Sequence, residues 1–221
     1  MNFDFQWFVN LFPIVLPALG LTIKISLVSL IFTLILSIII SIIRYYKIYG
    51  LYQIFGLYIT FFRATPLVAQ LFILYFGFPC IIPALKSMTA FQATVIALTL
   101  NTASFMAETL RASLESVDVG QLEACYSIGM TRYQTMMRVV LPQAFGVALP
   151  SIGNQFIGII KGSALGFTVG LADIMAKAKM EAALSIRFFE AYLCVTLIYL
   201  VIVIFVEKIQ RLLEKRIEKF C

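Results

Sequence analysis

Long apolar runs, broken only by a few prolines, glycines and charges, constrain this 221-residue chain more than any other feature. Runs of about 20 residues match the ~30 Å hydrocarbon core of a bilayer and mark spanning helices rather than the core of a large soluble domain. Reading the runs against their punctuation gives spans at about 18–43, 52–78, 89–110, 143–168 and 188–206. The expected fold is therefore all-α and integral to the membrane, with five transmembrane helices in one domain covering 1–221. Residues 3–17 hold Trp7, Phe8, Phe12, Pro13 and Pro17, and read as a short interfacial helix leading into the first span.

Charge fixes the expected orientation. The net charge of +6 does not point to nucleic acid, because the basic residues gather at the ends of apolar runs. With the N-terminus outside, the inner segments carry Arg44, Lys47, Arg111, Arg132, Arg138, Lys208, Arg211, Lys215, Arg216 and Lys219. The outer segments then carry Lys86, Lys177, Lys179 and Arg187. The positive-inside rule accordingly predicts N-terminus out and C-terminus in. The tail 207–221 reads as an inward extension of the last helix, held by pairs such as Glu207–Arg211 and by the basic neighbours of Glu214 and Glu218. The opening Met-Asn-Phe-Asp has no basic segment ahead of the apolar run, so no cleaved signal peptide is expected. Cys80, Cys125, Cys194 and Cys221 lack metal or redox spacing and read as small hydrophobes, and the chain has no histidine, so no metal centre or catalytic base is expected.

The stretch 112–142 is the longest polar one on the predicted inner side, far longer than a simple connection needs. It encodes two short helices. Asp118 caps the first, with Gln121 three residues on, and Gly129 suits the left-handed residue that closes it. Thr131 caps the second, with Gln134 three on, and Pro142 is expected to stop that helix and start the next span. Leu122, Cys125 and Tyr126 give the first helix a partly apolar surface, as do Tyr133, Met136, Met137 and Val140 the second. Such a rigid projection docks into a groove on a partner, packs back on the bundle or lies on lipid.

Glu123-Ala124-Cys125, then Gly129, then Leu141-Pro142, resembles the Glu-Ala-Ala coupling loop of importer-type ABC transporter permeases, with Cys125 in place of the second alanine. The resemblance extends over Phe62-Arg63-Ala64-Thr65-Pro66-Leu67, Gln70-Leu71, Tyr75-Phe76-Gly77, Asn101, Ala107-Glu108, Arg111, Leu141 to Ala144, Pro150, Gly153 to Phe156 and Lys161, which is similar to the polar amino-acid permease pattern. It implies a MetI-like transmembrane domain in a bacterial plasma membrane, paired with a second permease subunit. It also implies an ATPase dimer at the cytoplasmic face, carrying ATP and Mg²⁺, and an external amino-acid-binding protein. The coupling residues implied are Glu123, Ala124, Cys125, Gly129, Leu141 and Pro142. Where the family often has Lys-Asp-Thr-Ser-Leu, this chain has Lys161-Gly162-Ser163-Ala164-Leu165, which speaks against a cationic substrate. The segment Asp173 to Arg187 is similar to permeases for cystine and other sulfur amino acids. No Gly-rich loop ending in Gly-Lys-Ser/Thr is present, so ATP hydrolysis is expected on a separate subunit and no cofactor on this one.

Polar groups at membrane depth are candidates for function because they are costly to place there. Arg63 can pair with Glu108 and lock two spans, and Glu108 can also pair with Arg111 on its own helix face. Lys24, near one helix end, is expected to snorkel. Asn101, Ser104, Asn154, Gln155, Lys161 and Ser163 can supply the donors and acceptors an amino-acid zwitterion needs, or serve as interhelical hydrogen bonds. Helical spacing puts Asn154, Gly158, Lys161 and Leu165 on one stripe. Two other functions fit the composition: an ion-coupled transporter or channel relaying through Lys161, Arg63 and Glu108, and a membrane scaffold that transports nothing.

Overall fold

The computed structural model describes residues 3–217. Glu218, Lys219 and Cys221, discussed above, lie outside the described residues. The chain forms helices α1 (Phe5–Tyr45), α2 (Leu51–Ala64), α3 (Leu67–Ile81), α4 (Ala90–Glu115), α5 (Val119–Ser127), α6 (Arg132–Val169), α7 (Ile174–Ser185) and α8 (Phe188–Ile217). Among the described residues α1, α4, α6 and α8 are each long and apolar enough to cross a membrane, and α2 with α3 passes the same test only as a bent pair, which gives four spans, or five when that pair is one broken span. The all-α membrane architecture agrees with the apolar runs.

Three local predictions need correction. The segment 3–17 is not a separate helix lying apart. Pro17 sits in the first turn of a tight 3₁₀ segment, Leu16–Ala18, where a missing amide costs little, so the helix runs on through it. Phe8, Leu11 and Val15 recur at helical spacing and are buried against Ile174, Ala178 and Ala182 of α7 and Ala191, Cys194 and Ile198 of α8. Nor does Pro142 stop a helix. The turn Met136–Val140 just before it widens to π geometry, and Arg132–Val169 continues as one helix.

The second span is broken rather than straight. Pro66 forces Thr65 into extended backbone (φ −112°, ψ 146°), and α2 and α3 meet at 108°. The break frees backbone carbonyls that lipid cannot satisfy. Gln70 covers them: its Nε2 donates to Phe62 O and Thr65 O, both at 3.1 Å, and to Thr65 Oγ1 at 2.7 Å.

The longest seam is between α1 and α4. Thr22, Ser26, Ser29, Thr33, Ser37 and Ser41 recur every three or four residues along α1 and are all buried. Short side chains let the two helices approach closely. Ser26, Ser37 and Ser41 donate back to carbonyls of their own helix (2.8–3.0 Å), so the seam is smooth and carries little directional grip.

Candidate functional site

The segment between α4 and α6 folds into a stiff peg. Asp118 caps α5 by accepting from the Gly120 amide at 2.8 Å. Gly129 closes it at φ +80°, with Met130 N donating to Cys125 O and Gly129 N to Tyr126 O, both at 3.0 Å. That pair of bonds satisfies the end carbonyls through a left-handed residue, as the glycine predicted. Thr131 and Gln134 then form the reciprocal capping box that opens α6, with amide-to-side-chain distances of 2.8 and 3.3 Å. Gln143 Nε2 reaches back to Gln121 Oε1 at 2.7 Å and braces the peg against α6.

The two readings of its apolar residues divide between two faces. Leu122, Met136 and Val140 turn inward onto Leu114, Val117, Ala144 and Tyr45, and Cys125 is buried too. Tyr126, Ile128, Tyr133 and Met137 turn outward, and Ile128 and Tyr133 are 78% and 72% exposed. Glu123, Ala124 and Gly129 are exposed beside them. Large apolar side chains left uncovered on a rigid projection mark a surface that meets a partner. Leu141 and Pro142 are also exposed, but on α6 rather than on the peg, and Leu141 lines an apolar groove of about 230 Å³ with Ile38, Leu110 and Phe145.

The polar candidates within the spans separate just as clearly. Asn101 Nδ2 donates to Phe62 O and to Gln70 Oε1, both at 3.0 Å, and so completes the repair of the broken span. Ser104 is fully buried and donates to Asn101 O at 2.6 Å; Ser163, also fully buried, donates to Ile160 O at 2.8 Å. These three side chains act within the bundle. Asn154, Gly158 and Lys161 lie exposed along one face of α6, with Gln155 half-buried alongside. Asn154, Gly158 and Lys161 share the exposed face that the spacing predicted, whereas Leu165, the fourth residue of that stripe, packs against the cluster of Leu71, Ala93, Ala97 and Val169.

Arg63 does not pair with Glu108. Its guanidinium lies over the Phe105 ring at 5.3 Å. Glu108 instead meets Arg44 of α1 through Oε1 at 2.8 Å and Arg111 of its own helix through Oε2 at 2.9 Å. Arg63 lies near the far end of α2, about three turns from its start, whereas Arg44 and Glu108 both lie towards the peg end. Neither Arg63 nor Lys161 has an ion-pair partner among the described residues. Lys24 lies over the Phe91 ring at 5.5 Å.

Sequence reading also missed Asp173, a fully buried carboxyl that caps α7 by accepting from Ala176 N at 2.8 Å. Burial pushes its pKa up to about 6. Its place before a helical run was a legible capping signal; its burial was not.

The peg thus leaves an apolar face open, and α6 exposes Asn154, Gly158 and Lys161 along one face. A family model described as binding-protein-dependent transport system inner membrane component matches residues 50–219. The chain belongs to this family.

Within it, this permease is similar over nearly its whole length to amino-acid transport proteins. It is 50% identical to a probable amino-acid ABC transporter permease, PatM, of Vibrio harveyi, over 99% of this chain and 98% of that one. It is 34% identical to the L-cystine transport system permease TcyL (98% of this chain, 92% of the relative), and 35% identical to the arginine transport system permease ArtQ (99% of each), both of Bacillus subtilis. The crystal structure of an amino acid ABC transporter with histidines superposes with a TM-score of 0.89 at 32% identity, covering 98% of this chain and all of that one. The permease is thus an amino-acid ABC transporter component with the MetI-like fold.

Membership gives Gly162 a context. A Cβ on Gly162 would lie 2.9 Å from Leu98 Cδ2 and 3.5 Å from Leu67 Cδ2, so any larger residue there must displace Leu98. Close packing thus holds position 162 to a small residue unless the Leu98 side chain moves.

Proposed function

We propose that this permease is the translocating subunit of a binding-protein-dependent importer that moves a polar amino acid inward by ATP-driven alternating access. Two such subunits, or this one and a related chain, pair around the stripe of Asn154, Gly158 and Lys161. The pegs enter clefts on a cytoplasmic ATPase dimer, which holds the ATP and Mg²⁺, and an external binding protein delivers the substrate. The N-terminus lies outside and the C-terminus in the cytoplasm. The observation that carries this reading is the peg itself, capped at both ends of α5, braced by Gln143, and uncovered at Tyr126, Ile128 and Tyr133. A stiff lever against a bistable bundle is what rigid-body switching requires.

The substrate class follows from charge. The stripe offers amides and the ammonium of Lys161 but no carboxylate, and Glu108 is held by Arg44 and Arg111. Lys161 suits an α-carboxylate and repels a cationic side chain. A neutral polar amino acid, with cystine or a related sulfur amino acid foremost, fits better than arginine. A proton or ion relay through Lys161, Arg63 and Glu108 finds no support, since these groups have separate surroundings.

The test is uptake into proteoliposomes containing the permease, its ATPase and its binding protein, using labelled L-cystine, L-glutamine and L-arginine. ATP-dependent entry of a neutral substrate, indifferent to imposed ion gradients, is expected. Entry driven by an ion gradient without ATP would overturn the reading, and preferential entry of arginine would overturn the substrate class.

A further inference from the structure

The peg and the bundle meet at two consecutive residues at the peg end of α1. Tyr45 shares an apolar cluster with Leu122 of α5 and Met136 of α6, over buried Leu114, Val117, Val140 and Ala144. Its neighbour Arg44 meets α4 through the 2.8 Å contact from its Nε to Glu108 Oε1, and both of those atoms are closed off from solvent. The Arg44 guanidinium also covers the Tyr52 ring of α2 at 4.8 Å. Its Nη1 fills the space left by Gly56, where a Cβ would come within 3.1 Å. Glu108 passes the connection on, since its other oxygen holds Arg111, which in turn holds Glu115 at 2.6 Å beside the root of the peg.

This joint contrasts with the rest of α1. Along the buried stripe of Thr22, Ser26, Ser29, Thr33, Ser37 and Ser41, the hydroxyls of Ser26, Ser37 and Ser41 bond their own helix and offer nothing for a neighbour to pull on, and none of the six carries a charge. Among the described residues, Arg44–Glu108 is the only ion pair that ties the peg half of α1 to another helix. Apolar contacts are non-directional and let surfaces slide. A charge pair shielded from water holds both distance and direction.

We infer that Arg44 is a positioning residue for transport: with Glu108 and Tyr45 it fastens α1 to the root of the peg, so that movement imposed on the peg is carried into the longest spanning helix. The inference rests on the peg being the element that the ATPase moves. It predicts that loss of the joint separates ATP hydrolysis from transport without undoing assembly.

The experiment measures substrate entered per ATP hydrolysed in proteoliposomes of the whole complex, with labelled L-cystine or whichever of L-glutamine and L-arginine the wild type carries. Arg44→Gln is expected to co-purify with the ATPase in normal amount, keep its KM for ATP, and lose about tenfold in that ratio. Arg44→Lys, which keeps the charge, should recover most of the ratio; a merely structural role would lower the yield of complex and leave the ratio intact. An unchanged ratio in Arg44→Gln overturns the inference. Should Arg44→Gln fail to assemble, Glu108→Gln decides, because it breaks the same pair while leaving the Arg44 guanidinium over the Tyr52 ring: a fall in the ratio supports the joint and an unchanged ratio refutes it. If the wild-type chain itself never retains an ATPase, the proposed function fails instead, and that result is distinct from any of these.

Discussion

Gln210 of α8 sits in the space that Gly153 of α6 leaves open, and its Nε2 donates to Pro150 O at 3.0 Å. A Cβ on Gly153 would collide with the Gln210 amide. Gly153→Leu should therefore push α8 away from α6 and cost about 1–3 kcal/mol, read as a lower unfolding midpoint in detergent. Adding Gln210→Ala should restore much of the loss. Equal instability with and without Gln210 would show that the fit is not what matters at this position.

Asn101 offers a choice between two roles. If it repairs the broken span, Asn101→Ala leaves the Phe62 carbonyl and Gln70 short of a donor, at a cost of about 1–3 kcal/mol. The unfolding midpoint should fall while the KM for substrate stays the same. A large rise in KM with stability unchanged would return Asn101 to the substrate pocket.

Gly129 tests the peg. At φ +80° a β-branched side chain is strained, whereas asparagine tolerates the left-handed region. Gly129→Val should still insert in the membrane yet retain at least about tenfold less ATPase on purification, a loss worth roughly 1.4 kcal/mol in docking. Gly129→Asn should retain most of it. Normal ATPase retention by Gly129→Val would show that the closing turn does not shape the docking surface.

Asp173 sets an acid-side dependence. Burial raises its carboxyl from the ordinary carboxylate range to about 6, so the folded chain favours the protonated form. Its contribution to stability is present in full below the unfolded value near 4 and is lost as pH rises through about 6. Asp4 has the opposite sign: the Trp7 amide, with Arg187 added, holds its carboxyl below the ordinary range, and that contribution is lost only as pH falls below about 4. The two windows are separable. Between pH 5 and 7.5 the wild-type unfolding midpoint should decline, and Asp173→Asn should flatten the curve. An identical slope in the variant would assign the dependence elsewhere.

What could be read in the sequence were features whose signals are local. The apolar runs marked the passes, and Asp118, Gly129 and Thr131 marked the ends of the peg helices, because caps act within a few residues of themselves. The stripe of Asn154, Gly158 and Lys161 followed from helical period alone. Features set by packing across the bundle were hidden. Arg63 and Arg44 look alike as lone arginines near the ends of apolar runs, and only relative depth and the Gly56 gap decide which one reaches Glu108. Asn101 reads equally as a ligand and as an interhelical hydrogen bond, because the 108° break that consumes its amide depends on how α2 and α3 fold back. Pro142 looked like a stop because a widened turn upstream of it leaves no mark in composition.

The central claim is that the peg lies on the cytoplasmic side beneath an ATPase. Ile128→Cys, in a chain whose Cys80 and Cys221 are replaced by serine, puts a thiol on the most open part of the peg. Modification by a membrane-impermeant maleimide in intact spheroplasts and in inverted vesicles tests the claim directly. No reaction is expected in spheroplasts, with reaction in inverted vesicles stripped of the ATPase and protection when the ATPase is restored. Rapid labelling from the outside of intact spheroplasts would contradict it.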